Sequence, residues 1–124
     1  MLRAILIGGF GFMGTLARYL LQGVVQRLSG GTFPYGTLAV NVIGCLVVGF
    51  VATLTLERVA ASPLWRTAIL VGFCGGFTTF SAFAYETFEL VRTGDPLRGL
   101  LNIAAQLALG LVAVWVGYAV AVKI

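Results

Sequence analysis

The sequence predicts an all-α membrane protein with four transmembrane helices, and three observations lead to that fold class. Hydrophobic residues make up 60% of the 124 residues, whereas charged residues make up only 10%. The mean hydropathy is +1.03. Because a soluble domain carries roughly one quarter charged residues, the composition excludes that class. The apolar residues also fall into four runs, each near the length of about 20 residues that a helix needs to cross a bilayer.

The four runs form a single transmembrane domain, 1–124, with short polar loops between them. The predicted spans are approximately 4–26, 36–56, 65–91 and 98–122. Glycine and proline mark the first loop, LSGGTFPY, and the third, TGDP, as turns. A cleaved signal peptide is a second interpretation of the N-terminal run, but the run resumes after Arg18, which favours a membrane span.

The charge pattern and the cysteine and histidine content exclude some classes of function. The net charge of +4 comes from basic residues that stand singly at segment ends, so no basic stripe is present to neutralise the phosphates of a nucleic acid. Cys45 and Cys74 lie in apolar runs, where free cysteines act as small hydrophobes. The sequence also has no histidine and no metal-ligand spacing, so it does not predict an enzyme. The scattered basic residues likewise do not predict nucleic-acid binding.

The first span combines a glycine-rich face with one charged residue inside the apolar run. Gly8, Gly11 and Gly14 recur every third residue, so we expect another backbone to approach this face closely. Arg18 interrupts the run and costs about 2.5 to 3.5 kcal/mol at the centre of a span. It must therefore face protein or water, or extend toward the interface. An interfacial anchor and a vestibule that attracts anions both fit this position.

The second and fourth spans each carry a small, polar face. In the second span this face contains Thr37, Asn41, Gly44, Cys45 and Gly49. The Asn41 amide either joins helices or donates hydrogen bonds to an anion at depth. In the fourth span the face contains Asn102, Gln106 and Gly110, and it either packs against a helix or lines a narrow water-filled path.

The third span contains the most unusual stretch of the chain, GFCGGFTTFSAF at 72–83. Gly75 and Gly76 each weaken a helix by about 1 kcal/mol relative to alanine, and the hydroxyls of Thr78 and Thr79 compete for backbone hydrogen bonds. We therefore expect the helix to break near residues 75–78. In hydrocarbon, a broken helix is tolerated only where the freed groups are buried in protein, line water or hold an ion. The break is the predicted functional site.

Side chains after the break add to this site. Phe80 and Phe83 are three residues apart and project from one face of the helix, and Ser81 adds a hydroxyl beside them. Glu86 follows close to the polar end of the span. Its position favours a solvated or helix-pairing role, with a proton or cation site as the alternative.

Charge placement predicts how copies of the chain assemble. With four spans, the N-terminus, the second loop and the C-terminus share one side of the membrane. That side carries four basic residues and the opposite side three: Arg3, Arg58, Arg66 and Lys123 against Arg27, Arg92 and Arg98. Because lysine and arginine asymmetry sets orientation, so small a bias gives no preferred insertion. We predict that copies insert both ways and pair as an antiparallel, dual-topology homodimer.

Three motifs carry a resemblance to a known family. They are GGFGFMGTLARY (8–19), GTLAVNVIGC (36–45) and GFCGGFTTFSAF (72–83), and together they resemble the signatures of the CrcB/Fluc fluoride channels. The resemblance extends over the whole chain in length, number of spans and motif order. It implies an antiparallel homodimer in the cytoplasmic (inner) membrane, with two pores for passive fluoride export and a structural sodium ion at the dimer centre.

The resemblance also implies roles for particular residues. Phe80 and Phe83 correspond to the aromatic pair beside the fluoride path, and Asn41 corresponds to the pore-lining amide. The carbonyls of Gly75 and Thr78 from each subunit would bind the sodium ion, and Arg18 would be the basic residue near the pore mouth. Ala82 departs from the family, which more often has threonine there, and Gln106 and Gly110 stand where some members carry hydroxyls.

The chemistry of fluoride agrees with these roles. Fluoride is small and strongly hydrated, so a path through lipid must replace its water with hydrogen-bond donors. Asn41, Thr79, Ser81 and backbone N–H groups can supply them, and the positive edges of phenylalanine rings favour contact with an anion. A hard cation such as sodium prefers oxygen ligands, which a broken helix provides.

Two other classes of membrane protein share some of these features. A small multidrug exporter also has four spans and dual topology, but it needs an intramembrane carboxylate to exchange protons for cationic drugs. The first span offers Arg18 instead. A purely structural subunit would explain the glycines but not a polar, broken third span.

Overall fold

A computed structural model describes residues 1–58 and 62–124, apart from the side chain of Arg58, which entered the charge comparison above. It confirms four helical segments long and apolar enough to cross a membrane, and each begins one or two residues before the predicted span. The segments are Leu2–Ser29, Tyr35–Glu57, Pro63–Arg92 and Pro96–Ala121. The first helix is α1 (Leu2–Ser29). The second is α2 (Tyr35–Thr53), which a π-helical turn, Leu54–Arg58, continues.

The helix ends follow from local sequence. α1 ends at Gly30, which adopts a left-handed conformation with φ 58°, and glycine takes this conformation without steric cost. The last helix, α5 (Pro96–Ala121), begins after Asp95, whose carboxylate accepts a hydrogen bond from the Arg98 N–H. Proline at the first helical position and an aspartate cap are both typical of helix starts.

The third span is broken, as predicted, but at the threonines rather than at the glycines. Its first half, α3, runs through Pro63–Thr67, a π-helical stretch Ala68–Cys74 and a last turn Gly75–Phe77. Thr78 and Thr79 are extended, with φ/ψ of −93°/160° and −150°/117°. The second half, α4, spans Phe80–Arg92. The expectation that the chain unwinds at the paired glycines is wrong, since Gly75 keeps helical angles of −61° and −38°.

Packing between α1 and α3 explains why one of these glycines is needed. A Cβ added to Gly76 would lie 2.5 Å from the Gly11 carbonyl oxygen, and one added to Gly14 would collide with the Phe73 carbonyl. The two backbones are therefore in contact, as the glycine face of the first span predicts. Within the single chain Gly8 is not part of this contact, since nothing lies within 4 Å of an added Cβ.

A second pair of helices, α2 and α5, packs in the same way. Cβ atoms on Gly49 and Gly117 would collide with the carbonyls of Val114 and Leu46 respectively. The polar face of the second span also points inward, since the Thr37 side chain is buried between Gln22 and Glu86. The two glycine-packed pairs, α1–α3 and α2–α5, form the frame around the break.

Candidate functional site

The side chain of Asn41, on α2, forms hydrogen bonds with the main chain of the broken segment. The Thr79 N–H donates to Asn41 Oδ1 at 2.8 Å, and Asn41 Nδ2 donates to the Thr79 carbonyl at 3.0 Å. The side-chain amide thus pairs with Thr79 as a neighbouring strand would. Gly44, one turn further along α2, leaves space for the Thr78 methyl group, which a Cβ at this position would strike. Asn41 therefore joins α2 to the extended backbone of the third span, which agrees with the helix-joining interpretation.

The last carbonyls of α3 are partly satisfied by side chains. The Cys74 carbonyl accepts from both the N–H and the hydroxyl of Thr78, each at 3.0 Å. The Gly76 carbonyl accepts from Arg18 Nε at 3.0 Å. A guanidinium at this place offsets the partial negative charge of a helix C-terminus. Arg18 consequently lies against the break rather than at the end of its own helix.

The start of α4 is capped by Thr79. Its Oγ1 accepts a hydrogen bond from the Ala82 N–H at 3.2 Å, so Ala82 contributes its backbone where a threonine would also offer a hydroxyl. Ser81 Oγ lies 3.4 Å from the same Thr79 oxygen. Hydroxyl groups and helix N–H groups are therefore concentrated at one point of an otherwise apolar span.

Phe80 and Phe83 line a cavity beside this point. Their ring centroids are 5.4 Å apart and the rings meet edge to face at 66°. The cavity has a volume of about 300 Å³ and also contacts Asn41, Thr79 and Gln106; we call it the phenylalanine cavity. Phe80 is 78% exposed in the single chain, so the cavity is open on its side.

Gln106, on α5, is a member of this site that the sequence offered only as part of a polar face, which either packs against a helix or lines a water-filled path. Its Oε1 accepts a hydrogen bond from Asn41 Nδ2 at 3.1 Å. The signal for it was the stripe it forms with Asn102 and Gly110, and the structure buries both of these neighbours. The stripe faces the interior of the bundle, where it meets α2 and α4.

A second, larger cavity of about 750 Å³ opens toward the first and third loops, and we call it the vestibule. It is lined by Arg18, Tyr19, Gln22, Gly23, Gln26, Thr32, Pro34, Tyr85, Glu86, Glu89, Leu90 and Thr93. In its wall Gln22 Nε2 donates to Thr37 Oγ1 at 3.0 Å, and Thr37 Oγ1 donates to Glu86 Oε1 at 2.7 Å. Glu86 therefore pairs α4 with α2, as a helix-pairing role requires.

Residues 5–118 match the family model described as CrcB-like protein, Camphor Resistance (CrcB). The chain belongs to the CrcB family. Membership covers nearly the whole chain, so it includes both glycine-packed pairs and the broken span. It also leaves the multidrug exporter and the purely structural subunit without support.

Curated relatives of this CrcB chain carry the name fluoride-specific ion channel FluC. The relative from Solibacter usitatus is 46% identical over 94% of this chain and 95% of its own length. That from Geobacter sulfurreducens is 48% identical over 90% of each chain, and that from Desulforapulum autotrophicum is 50% identical over 86% of each. The similarity therefore covers 86% to 95% of the length of these relatives.

The described part of this CrcB chain holds no group of three His, Cys, Asp or Glu side chains placed to bind a metal. Any bound cation would need other ligands. Within the described residues the carbonyl oxygens of Gly75 and Thr78 accept no hydrogen bond, whereas those of Cys74 and Gly76 do. The break thus leaves oxygen ligands of the kind that a hard cation prefers.

Proposed function

We propose that this CrcB protein is a fluoride-selective channel that allows fluoride to leave the cell passively across the cytoplasmic membrane, and so limits fluoride toxicity. One observation carries the proposal: the third span breaks beside a cavity lined by Phe80 and Phe83, in a chain whose full-length relatives are named fluoride-specific ion channels. A broken span in hydrocarbon is typical of an ion path.

The chemistry of the cavity suits a small, strongly hydrated anion. Thr79 and Ser81 supply hydroxyl donors, and the first N–H groups of α4 have no partner within their own helix. The positive end of the α4 dipole lies at the same point. The edges of the Phe80 and Phe83 rings carry partial positive charge. They therefore attract an anion in the cavity.

We further propose an antiparallel homodimer with two pores. The nearly even distribution of basic residues gives no preferred insertion. The side chain of Phe80 is largely uncovered at the cavity, and Gly75 has open space around an added Cβ. An inverted copy seated at the break would cover both, and would close each phenylalanine cavity.

A structural sodium ion at the centre of this dimer fits the donor set. Among the described residues the carbonyls of Gly75 and Thr78 have no hydrogen-bond partner, whereas Arg18 satisfies that of Gly76 and Thr78 that of Cys74. Two opposed chains would offer four oxygens. The ion would supply positive charge that holds the four carbonyls, and hence the two breaks, together.

Fluoride efflux from liposomes tests the channel. Purified protein is reconstituted in vesicles loaded with potassium fluoride or potassium chloride, and release after valinomycin is followed with ion-selective electrodes. We expect fast fluoride release and chloride release no faster than in protein-free vesicles. Equal release of both ions, or of neither, would refute a fluoride-selective channel.

Labelling of an introduced cysteine tests the dimer. Gly31→Cys lies in the first loop, and Cys45 and Cys74 are replaced by serine and alanine so that only the new thiol reacts. In intact inner-membrane vesicles, an impermeant maleimide should label about half of the chains, and detergent should expose the rest. Complete labelling, or none, before detergent means a single orientation and excludes the antiparallel pair. A Cys-free chain without Gly31→Cys is the control.

A further inference from the structure

A third cavity lies between the first loop, the start of α2 and the start of α5, and we call it the α2–α5 groove. It has a volume of about 560 Å³ and shares no lining residue with the phenylalanine cavity. Its lining includes Thr32, Tyr35, Leu38, Arg98, Leu101 and Ala105. On α5, Ala105 in the groove and Leu107 in the phenylalanine cavity are two residues apart, which is about 200° around a helix. The groove therefore lies on the side of α5 that faces away from the break.

The groove is polar at one end and apolar along the rest. Arg98 and Thr32 lie at its polar end, beside the first loop. Leu38 lies one turn into α2. On α5, Leu101 and Ala105 share one stripe with Arg98, because they follow it by three and seven residues. Both helices are membrane spans, so the apolar part lies in hydrocarbon and the polar end lies at the level of the lipid headgroups.

The loop at the polar end is held in place by one side chain of α1. Gln26 Nε2 donates to the carbonyls of Gly31 and Phe33, each at 3.0 Å. Its Oε1 accepts a hydrogen bond from the Gly36 N–H at 3.1 Å. These bonds fix the backbone on both sides of Thr32. The polar end is therefore formed before any ligand arrives, which lowers the entropic cost of binding.

Arg98 and Thr32 keep donors available at this end. Arg98 Nη1 donates to Thr32 Oγ1 at 2.8 Å, and Arg98 Nε lies 3.3 Å from Asp95 Oδ2. In the described part of the chain Arg98 Nη2 has no partner, and the Thr32 hydroxyl accepts a bond but donates none. The Arg98 side chain is 52% exposed. A guanidinium with free N–H groups beside a hydroxyl suits the oxygens of a phosphate group.

Charge and shape together select the kind of phosphate. Asp95 already offsets part of the Arg98 charge through their ion pair, which disfavours a free phosphate with two negative charges and suits a phosphodiester with one. A free ion would also leave the apolar walls of Leu38 and Leu101 without a partner. An acyl chain fits those walls, and Leu101 is 51% exposed to receive it. Membrane lipids carry both groups in one molecule.

We propose that the α2–α5 groove binds one glycerophospholipid, whose phosphodiester contacts Arg98 and Thr32 and whose acyl chain lies along Leu38, Leu101 and Ala105. The bound lipid connects the first loop and α2 to the start of α5. This site is separate from the proposed fluoride path and does not depend on conduction. Failure of either proposal therefore leaves the other standing.

Native mass spectrometry of the full chain in detergent tests the ligand class. Palmitoyl-oleoyl-phosphatidylglycerol is the probe, dioleoylglycerol lacks its phosphate, and glycerol 3-phosphate lacks its chains. We expect one phosphatidylglycerol retained per chain, no retained dioleoylglycerol, and no displacement of the lipid by excess glycerol 3-phosphate. Equal retention of dioleoylglycerol would show that the phosphate is not recognised. Displacement by glycerol 3-phosphate would make the groove a site for free phosphates, and either result overturns the proposal.

Substitutions at the polar end test the contacts. Arg98→Gln removes the charge but keeps the backbone N–H that Asp95 accepts from, and it should weaken phosphatidylglycerol binding about tenfold, since hydrogen bonds to charged groups are worth about 1.5 to 3 kcal/mol. Thr32→Val removes a neutral donor and should weaken binding about threefold.

Arg92→Gln is the matched control. Arg92 forms the same kind of ion pair three residues from its partner, with Glu89 at 2.7 Å, at the other end of the third loop and outside the groove. Its affinity for phosphatidylglycerol should stay close to that of the wild type. If Arg92→Gln weakens binding as much as Arg98→Gln, or if Arg98→Gln binds like the wild type, the groove is not the site.

Photo-crosslinking of the wild type decides the question should the variants fail to fold. Phosphatidylglycerol with a diazirine in one acyl chain is bound to the protein, irradiated and mapped by peptide mass spectrometry. We expect adducts concentrated in residues 35–38 and 98–105. Adducts spread evenly over the four spans would mean that lipid covers the chain without a specific site, and would overturn the proposal.

Discussion

The glycine-packed helix pairs and the broken third span satisfy their backbone N–H and C=O groups in different ways. In the pairs α1–α3 and α2–α5, backbones touch at glycines such as Gly14 and Gly49. At the break, Thr78 and Thr79 leave the helix, and side chains from α1 and α2 satisfy the freed groups. A rigid frame therefore surrounds a short segment that depends on distant side chains.

The difference shows where a membrane protein needs polar side chains inside its helix bundle. Tight backbone contact needs no polar side chain, because dispersion and close packing hold the helices together. An extended segment exposes N–H and C=O groups that hydrocarbon cannot satisfy. Around the break, the Asn41 amide and the Arg18 guanidinium meet this need from neighbouring helices, and the hydroxyls of Thr78 and Thr79 meet it from within the segment.

Asn41→Leu should have the largest effect on stability. It leaves the N–H and the carbonyl of Thr79 without partners, and each unsatisfied buried group costs about 1 to 3 kcal/mol. We expect a marked fall in the thermal unfolding midpoint in detergent, together with loss of fluoride efflux. An unchanged midpoint would mean that the break does not depend on α2.

Gly14→Ala should come next. The new Cβ collides with the Phe73 carbonyl and lies 3.0 Å from the Phe77 nitrogen, and overpacking of this kind costs about 1 to 3 kcal/mol. Gly9→Ala is the matched control on the same helix, since nothing lies within 4 Å of its added Cβ. If both variants unfold at the same temperature, α1 and α3 are not in backbone contact.

Thr78→Val should have a small effect. It removes one hydrogen bond to the Cys74 carbonyl, which keeps the Thr78 N–H as a donor, so about 1 kcal/mol or less is lost. The valine retains the methyl group that packs on Gly44. Fluoride efflux should persist, because the proposed sodium ligand is the backbone carbonyl. A loss of efflux in folded protein would assign the hydroxyl a direct role in conduction.

Phe80→Ile should change stability least and function most. The ring is 78% exposed in the single chain, so we expect no measurable change in the unfolding of the chain. Fluoride efflux should be abolished while the dimer remains intact on size-exclusion chromatography. Phe88→Ile, on the same helix and 57% exposed, is the control and should conduct. Undiminished efflux through Phe80→Ile would remove the aromatic pair from the mechanism.

Much of the fold could be predicted because it depends on local composition. The four apolar runs, the glycine face of α1 and the polar faces of α2 and α5 are periodic features of the sequence, and the structure orients them inward as expected, with Gly8 as the exception. The position of the break was predicted to within a few residues from helix propensity. Propensity alone placed it at Gly75 and Gly76, because it could not know that Gly76 is used for packing.

Composition and helix propensity are enough to predict a membrane protein with four spans and a break in the third, since apolar length and weak helix formers act over neighbouring residues. The packing of the helices selects Thr78 and Thr79 as the extended residues and brings Gln106 against Asn41. Those outcomes depend on hydrogen bonds between Asn41 and groups 38 and 65 positions away in the chain. No local pattern specifies partners at such distances, because they meet only when the helices pack.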